Sequence, residues 1–208
     1  MITENSLKDL RCAVEKRLSS ARYLHTLGVE RSAMLLGEYC LPSDIFSLRA
    51  AALLHEIAKE YSDSQLTSLL RGSAFSLTDE DLLSPQILHS FAAPIVIRSD
   101  FPEFSEPNIL SATENHTVGA SDMTLFDEII FISDFIEDTR KYDACKRMRL
   151  ELISALVPGD FSANALAVHK SCIATIEFTE KFLRDKGRPI NERMINAKNA
   201  LKAKILQR

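Results

Sequence analysis

The chain has 208 residues, 46% of them hydrophobic, which is enough for one sizeable domain with an ordinary core. Its formal net charge of −4 argues against a broad nucleic-acid-binding surface, because such surfaces carry clustered excess lysine and arginine. Six glycines, and four cysteines without C-x-x-C spacing, disfavour β-sandwiches, β-barrels, disulfide frameworks and zinc ribbons. No run approaches the ~18 apolar residues of a membrane helix, so we expect a cytoplasmic protein without a membrane partner.

Apolar residues at three- and four-residue steps predict amphipathic helices from the N-terminus onward. The first helix includes Leu7 and Val14, and Thr3 or Ser6 is its expected cap. Further helices are predicted over residues 20–40, from 45 through 61, over 63–72, 107–116, 124–138, 142–156 and 161–186, and from about 191. In this scheme the stretch AALLHEIAKE, residues 51–60, places His55 inside the third helix.

Two prolines in the middle of the chain, Pro85 and Pro94, bear on where helices begin and end. Thr78 and Asp81 have the spacing of a helix N-terminal cap, and Pro85 opens a helix that holds His89. Pro94 is expected to kink or split that helix, because proline removes a backbone donor.

The segment 124–138 is apolar nearly all round, which predicts a central helix. We find no period-two strand pattern and no internal repeat. The sequence therefore predicts an all-α, single-domain helical bundle, with a core over about residues 7–190 and a C-terminal helix over about 191–208.

Four histidines and two carboxylates occur in unusually apolar settings. They are His25, His55, Glu56, His89, His116 and Asp134. Any one such histidine is more often a structural core residue than a ligand, but together imidazole and carboxylate suit a divalent ion such as iron, zinc or manganese. An open coordination position on such an ion activates water.

The same residues lie in a series of motifs that runs along most of the chain. In order these are R-x-x-H (Arg22 to His25), H-E-x-A-K (His55 to Lys59), His89, H-T (His116 and Thr117), S-D-F-I-E-x-x-R (Ser133 to Arg140) and K-G-R-P-I (Lys186 to Ile190). This series resembles the YqeK family of HD-domain metal phosphohydrolases, which hydrolyse diadenosine tetraphosphate symmetrically to two ADP. The resemblance implies a helical bundle of the HD-domain type and a nucleotide substrate.

The resemblance also implies roles for individual residues. The metal, expected to be iron with manganese or zinc as alternatives, would be bound by His25, His55, Glu56 and Asp134. Catalytic groups acting on the phosphates would be His89, His116 and Arg140. Substrate-binding residues would be Arg22, Lys59, Thr117, Arg188, Pro189, Ile190 and Asn191. Two alternatives stay open at this point: Lys59 as a solvent-facing lysine, and residues 189–191 as a helix-start turn.

The chain departs from the family pattern at its defining doublet. The family has His-Asp where this chain has His55-Glu56, and the extra methylene moves the carboxylate by roughly 1 Å. Phe91, in a segment where the family has a glycine- and proline-bearing turn, is expected to narrow the pocket. Three functions therefore compete: a hydrolase of dinucleoside polyphosphates, another nucleotide phosphohydrolase on the same metal site, and a catalytically weakened nucleotide-binding module. Apolar helix faces leave a homodimer open.

Overall fold

The computed structural model describes residues 1–206, and these form helices joined by short connections, with no β-strand among them. The helices are α1 (Glu4–Glu15), α2 (Ser20–Cys40), α3 (Ile45–Leu54), α4 (Asp63–Arg71), α5 (Asp79–Leu82), α6 (Leu88–Asp100), α7 (Pro107–Asn115), α8 (Leu125–Ile136), α9 (Asp143–Ala155), α10 (Phe161–Asp185) and α11 (Glu192–Leu206). The predicted all-α class is confirmed. The last two residues of the predicted C-terminal helix lie outside the described part of the chain.

Several helix starts follow the local signals of the sequence. Thr3 caps α1, and Ser6 returns the bond to the backbone of Thr3, so both predicted candidates take part in one capping box. Thr78 and Asp81 form the same arrangement at α5. The prediction for Pro94 was wrong as regards a split, since α6 runs through it from Leu88 to Asp100.

Four helices form the centre of the bundle: α2, α3, α7 and α8 pack on one another in a ring. Within α8, residues 126–133 are all buried, as its apolar pattern predicts. The remaining helices cover this centre: α1 lies on α3, α6 lies on α7, and α10 lies on α8 and carries α11. No helix within residues 1–206 is both long and apolar enough to cross a membrane.

The third helix is shorter than predicted. It ends at Leu54, and residues 55–60 continue as consecutive turns with hydrogen bonds that span three residues. His55 Nδ1–H donates to the carbonyl of Ala52 at 2.6 Å, which is the acceptor that the N–H of Glu56 would use in a continuing helix. The histidine side chain therefore competes with the helix for that carbonyl.

Candidate metal centre

The ends of the central helices meet at the predicted site. His55 and His116 directly follow the last residues of α3 and α7, and Asp134 lies in the last turn of α8. His25 comes from the first half of α2. Since the C-terminal end of a helix carries partial negative charge, three converging C-terminal ends favour a cation between them.

Three buried histidines share one hydrogen-bonding arrangement. His55, His89 and His116 are each at most 2% exposed, and each donates Nδ1–H to the backbone carbonyl three residues earlier. The acceptors are Ala52 at 2.6 Å, Gln86 at 2.9 Å and Thr113 at 2.8 Å. Donation from Nδ1 leaves the lone pair of each neutral ring on Nε2, so the backbone presets all three rings as ligands through Nε2.

The first group of potential ligands consists of His25, His55 and Asp134, whose ligand atoms lie within 4.8 Å of one another. His25 Nε2 is 3.0 Å from Asp134 Oδ1 and 3.3 Å from His55 Nε2. Burial by itself lowers the pKa of His25, but its hydrogen bonds to Asp134 and Glu137 raise that pKa to about 9. Without a metal ion, the positive charge beside Asp134 and Glu137 is therefore provided by a protonated His25.

The second group consists of His55, Glu56 and His116, again within 4.8 Å. Glu56 Oε1 lies 3.1 Å from His89 Nε2 and 3.9 Å from His116 Nε2. The four predicted metal ligands are thus divided: His25, His55 and Asp134 lie together, while Glu56 joins them through His55 and faces His89 and His116.

Around the second group, several hydrogen-bond acceptor atoms lie close together with no proton between them. His116 Nε2 lies 3.2 Å from His89 Nε2, and burial lowers the pKa of both rings, that of His116 well below its usual value. Burial likewise lowers the pKa of His55 to about 4. Two neutral imidazole lone pairs at this distance repel unless a cation lies near both. The donor set of imidazole nitrogen and carboxylate oxygen therefore fits a divalent transition metal.

Cationic side chains surround this centre in a cavity of about 1010 Å³. Arg140 Nη2 donates to Asp134 Oδ1 at 2.6 Å, and Arg22 Nη1 donates to Glu56 Oε2 at 3.0 Å. Lys59 Nζ lies 3.6 Å from Glu56 and 3.2 Å from His89 Nε2, with its side chain 26% exposed. Lys59 therefore faces the site rather than open solvent.

Six of the ten residues predicted to be catalytic or substrate-binding line this cavity, and four do not. The lining includes Arg22, Lys59, His89, His116, Thr117 and Arg140. It does not include Arg188, Pro189, Ile190 or Asn191, and the buried Asn191 donates to Asp81 at 3.0 Å. Their contact with nucleotide stays a prediction.

Phe91 was expected to narrow the pocket, and this was wrong. Its ring stacks on Phe75 with 4.7 Å between centroids and is covered by Arg193, so it packs on the other side of α6. Phe91 follows His89 by two positions, which are about 200° apart around a helix, so Phe91 faces Phe75 while His89 faces the cavity.

Eight residues that line the cavity were not predicted as site residues: Ser19, Ala21, Gln86, Ile87, Glu137, Thr139, Lys141 and Tyr142. Thr139, Lys141 and Tyr142 line it beside Arg140, in a loop without helical periodicity that could have marked them. Glu137 contacts His25 at 3.1 Å, and its carboxylate is 3.8 Å from Arg140, whose nearer partner is Asp134.

Comparisons with known proteins agree with this geometry. The HD-domain family model matches residues 22–137, the span that holds His25, His55, Glu56 and Asp134. A symmetrical bis(5'-nucleosyl)-tetraphosphatase from Halalkalibacterium halodurans is 26% identical over 179 residues, covering 85% of this chain and 87% of the relative. Another from Staphylococcus aureus is 30% identical over 138 residues, covering 65% and 68%.

A solved structure has the same fold over the whole length. A protein from Clostridium acetobutylicum, described as a predicted HD-superfamily hydrolase involved in NAD metabolism, superposes with a TM-score of 0.81 at 26% identity. The match covers 98% of this chain and 99% of that chain.

Proposed function

Since the chain belongs to the HD-domain family, in its YqeK branch, we propose that it hydrolyses diadenosine tetraphosphate symmetrically to two ADP. Membership of this family makes it a metal-dependent phosphohydrolase. The observation that supports the substrate class is one cavity with metal-ligating acceptors at its floor and arginine and lysine around them. A polyphosphate needs both features, because its charge must be neutralised while one phosphorus is attacked.

The metal would be bound by His25, His55 and Asp134, with Glu56 and His116 on the other side of His55. We propose iron, with manganese or zinc as ions that accept the same ligands. A divalent ion bound here supplies Lewis acidity, which lowers the pKa of water and offsets phosphoryl charge.

The protein groups act on the phosphates by position and charge. Arg140 is held against Asp134 by two hydrogen bonds, from Nε to the backbone carbonyl at 3.0 Å and from Nη2 to the carboxylate. Lys59 and Arg22 lie on the Glu56 side, so phosphate oxygens between the two sides would accept hydrogen bonds from both. Addition of one water across the central P–O–P bridge then gives two ADP.

A direct test is a product assay with the purified protein loaded with Fe²⁺ or Mn²⁺ and diadenosine tetraphosphate as substrate. We expect ADP as the sole nucleotide product, and none from a His55→Ala variant. ATP together with AMP would contradict symmetrical cleavage. No product from protein with verified bound metal would instead favour another phosphate substrate or the nucleotide-binding module.

Tyr142 is the residue we propose for contact with a nucleobase. It lines the cavity and is 74% exposed, so its ring is accessible to a ligand bound there. Stacking of a base on an aromatic ring is independent of base identity and would hold the nucleoside beside Lys141. Tyr142→Ala should raise KM for diadenosine tetraphosphate about tenfold with kcat unchanged.

The matched control is Tyr142→Phe, which keeps the ring and should keep KM. Steady-state kinetics on the three proteins measure this, and an unchanged KM in Tyr142→Ala would remove Tyr142 from the site. We place the activity in the cytoplasm, and a homodimer stays a prediction.

A further inference from the structure

Glu137 is buried directly after the last residue of α8, with an exposed side-chain fraction of 0%. A carboxylate in such a place needs donors on both oxygens. Thr139 provides two, from its backbone N–H at 2.6 Å and its hydroxyl at 2.7 Å. The third comes from His25 Nδ1–H, 3.1 Å from Glu137 Oε1.

The opposite nitrogen of the same ring faces the metal group. With Nδ1–H donated to Glu137, the neutral ring of His25 carries its lone pair on Nε2, toward Asp134 and His55. In the other three histidines, Nδ1–H donates to the backbone carbonyl three residues earlier. In His25 the acceptor of Nδ1–H is the Glu137 carboxylate instead.

The approach of Glu137 to α2 depends on a missing side chain. Gly28 lies one helical turn after His25, and a Cβ at Gly28 would be 2.3 Å from Glu137 Oε2, far inside contact distance. The same Cβ would be 3.1 Å from Asp138 Oδ1. The glycine therefore leaves a notch in the helix that the carboxylate enters.

The backbone on the other side of Glu137 is held as well. Arg149 of α9 donates to the carbonyls of Ile136 and Glu137. This contact fixes the end of α8, which carries Asp134 and Glu137 together. One rigid element thus supplies both a ligand of the site and the partner of a second ligand.

We propose that Glu137 is the residue that positions His25 for metal binding, and that Gly28 provides the space this requires. The inference rests on the proposed ligation of metal by His25. Carboxylate partners of ligating histidines raise ligand basicity and fix ring orientation, and their loss typically weakens metal affinity about 10- to 100-fold.

The test measures binding of Mn²⁺ alone to the metal-free full-length protein by calorimetry, together with the visible absorption of the Co²⁺-loaded form. Glu137→Gln keeps the side-chain shape but removes the charge, and it should weaken Mn²⁺ binding about 10- to 100-fold and change the Co²⁺ spectrum. The matched control is Asp138→Asn, an adjacent carboxylate that pairs with the exposed Arg31, and it should bind Mn²⁺ as the wild type does.

Gly28→Ala gives a second and independent variant. Alone, it should weaken Mn²⁺ binding because its methyl group displaces the carboxylate. In a Glu137→Ala background the clash with the carboxylate is gone and only the approach to the exposed Asp138 remains, so Gly28→Ala should cause little further loss of affinity. Fully additive losses would show instead that Gly28 affects the metal site independently of Glu137.

His25→Ala separates this inference from the proposed metal site. If His25→Ala loses Mn²⁺ affinity while Glu137→Gln keeps it within about twofold of wild type, the role of Glu137 is overturned and the ligand assignment stands. If His25→Ala also keeps wild-type affinity, both the positioning role and the proposed ligation by His25 are overturned.

Discussion

Two ionic clusters of this molecule, each with a buried centre, differ in how completely their charges are matched. The N-terminal cluster consists of Glu4, Arg11, Glu30 and Arg49, which join α1, α2 and α3. Glu30 accepts from Arg11 Nε at 2.8 Å and from Arg49 Nε at 2.9 Å, and Arg49 donates through both terminal nitrogens to Glu4. Every carboxylate there meets guanidinium donors in the geometry that makes such bonds strong.

The metal cluster has the opposite balance. The lone pairs of His55, His89 and His116 converge with two carboxylates, and His116 Nε2 faces acceptors. The N-terminal cluster joins three helices through its own ion pairs. The acceptor atoms of the metal cluster, in contrast, need a bound cation to balance them. Donors and acceptors are thus paired within the protein at the structural cluster, and left for a ligand to pair at the functional one.

The largest expected effect comes from the metal cluster. Asp134→Asn keeps the side-chain size but removes the charge that pairs with His25 and Arg140, and turnover of diadenosine tetraphosphate should fall by more than ~100-fold. Steady-state assays at saturating Mn²⁺ check this. Full activity in the variant would exclude Asp134 as a ligand.

A change in the N-terminal cluster should lower the stability of the protein rather than its turnover. Glu30→Gln removes the acceptor charge shared by two arginines, and loss of one partner of a buried pair costs about 3–5 kcal/mol. Urea denaturation would measure the free energy of unfolding, with turnover per folded molecule as the control. A fall in turnover at unchanged stability would reverse the roles that we assign to the two clusters.

A variant of the metal cluster, His116→Leu, should raise the stability of the metal-free protein, in contrast to Glu30→Gln. An apolar side chain of similar size removes a buried lone pair that faces acceptors, so the metal-free protein should become more stable by about 1 kcal/mol. The measurement is urea denaturation after removal of metal with a chelator. Destabilisation of more than about 1 kcal/mol would show that the ring is satisfied without a cation.

The smallest effect concerns pH. The hydrogen bond from Arg49 lowers the pKa of Glu4 below its usual value, so the folded state binds the proton more weakly than the unfolded state does. This pair therefore contributes stability above about pH 4.5, which is lost as the pH falls through the lowered pKa of the folded state. Because the Glu4 side chain is 61% exposed, the contribution should stay below ~1 kcal/mol.

Comparison of unfolding free energies at pH 7 and pH 3 tests this, since Glu4→Gln should show a smaller difference than the wild type. An equal difference in the two proteins would mean that the pair contributes nothing measurable.

The sequence by itself determined the helices and the list of candidate ligands. Caps such as Thr3 with Ser6 involve residues three apart, and apolar steps of three and four residues reflect the geometry of one helix, so both can be read locally. The order of the histidine and carboxylate motifs likewise needs no coordinates.

The tertiary structure decided how these residues are divided and what supports them. Glu56 lies beside His89, which is 33 positions later in the chain, and Glu137 meets His25 across 112 positions. That contact exists because α8 approaches α2 at Gly28 closely enough for a carboxylate to enter. Such distances depend on how helices pack against each other, which local periodicity does not encode.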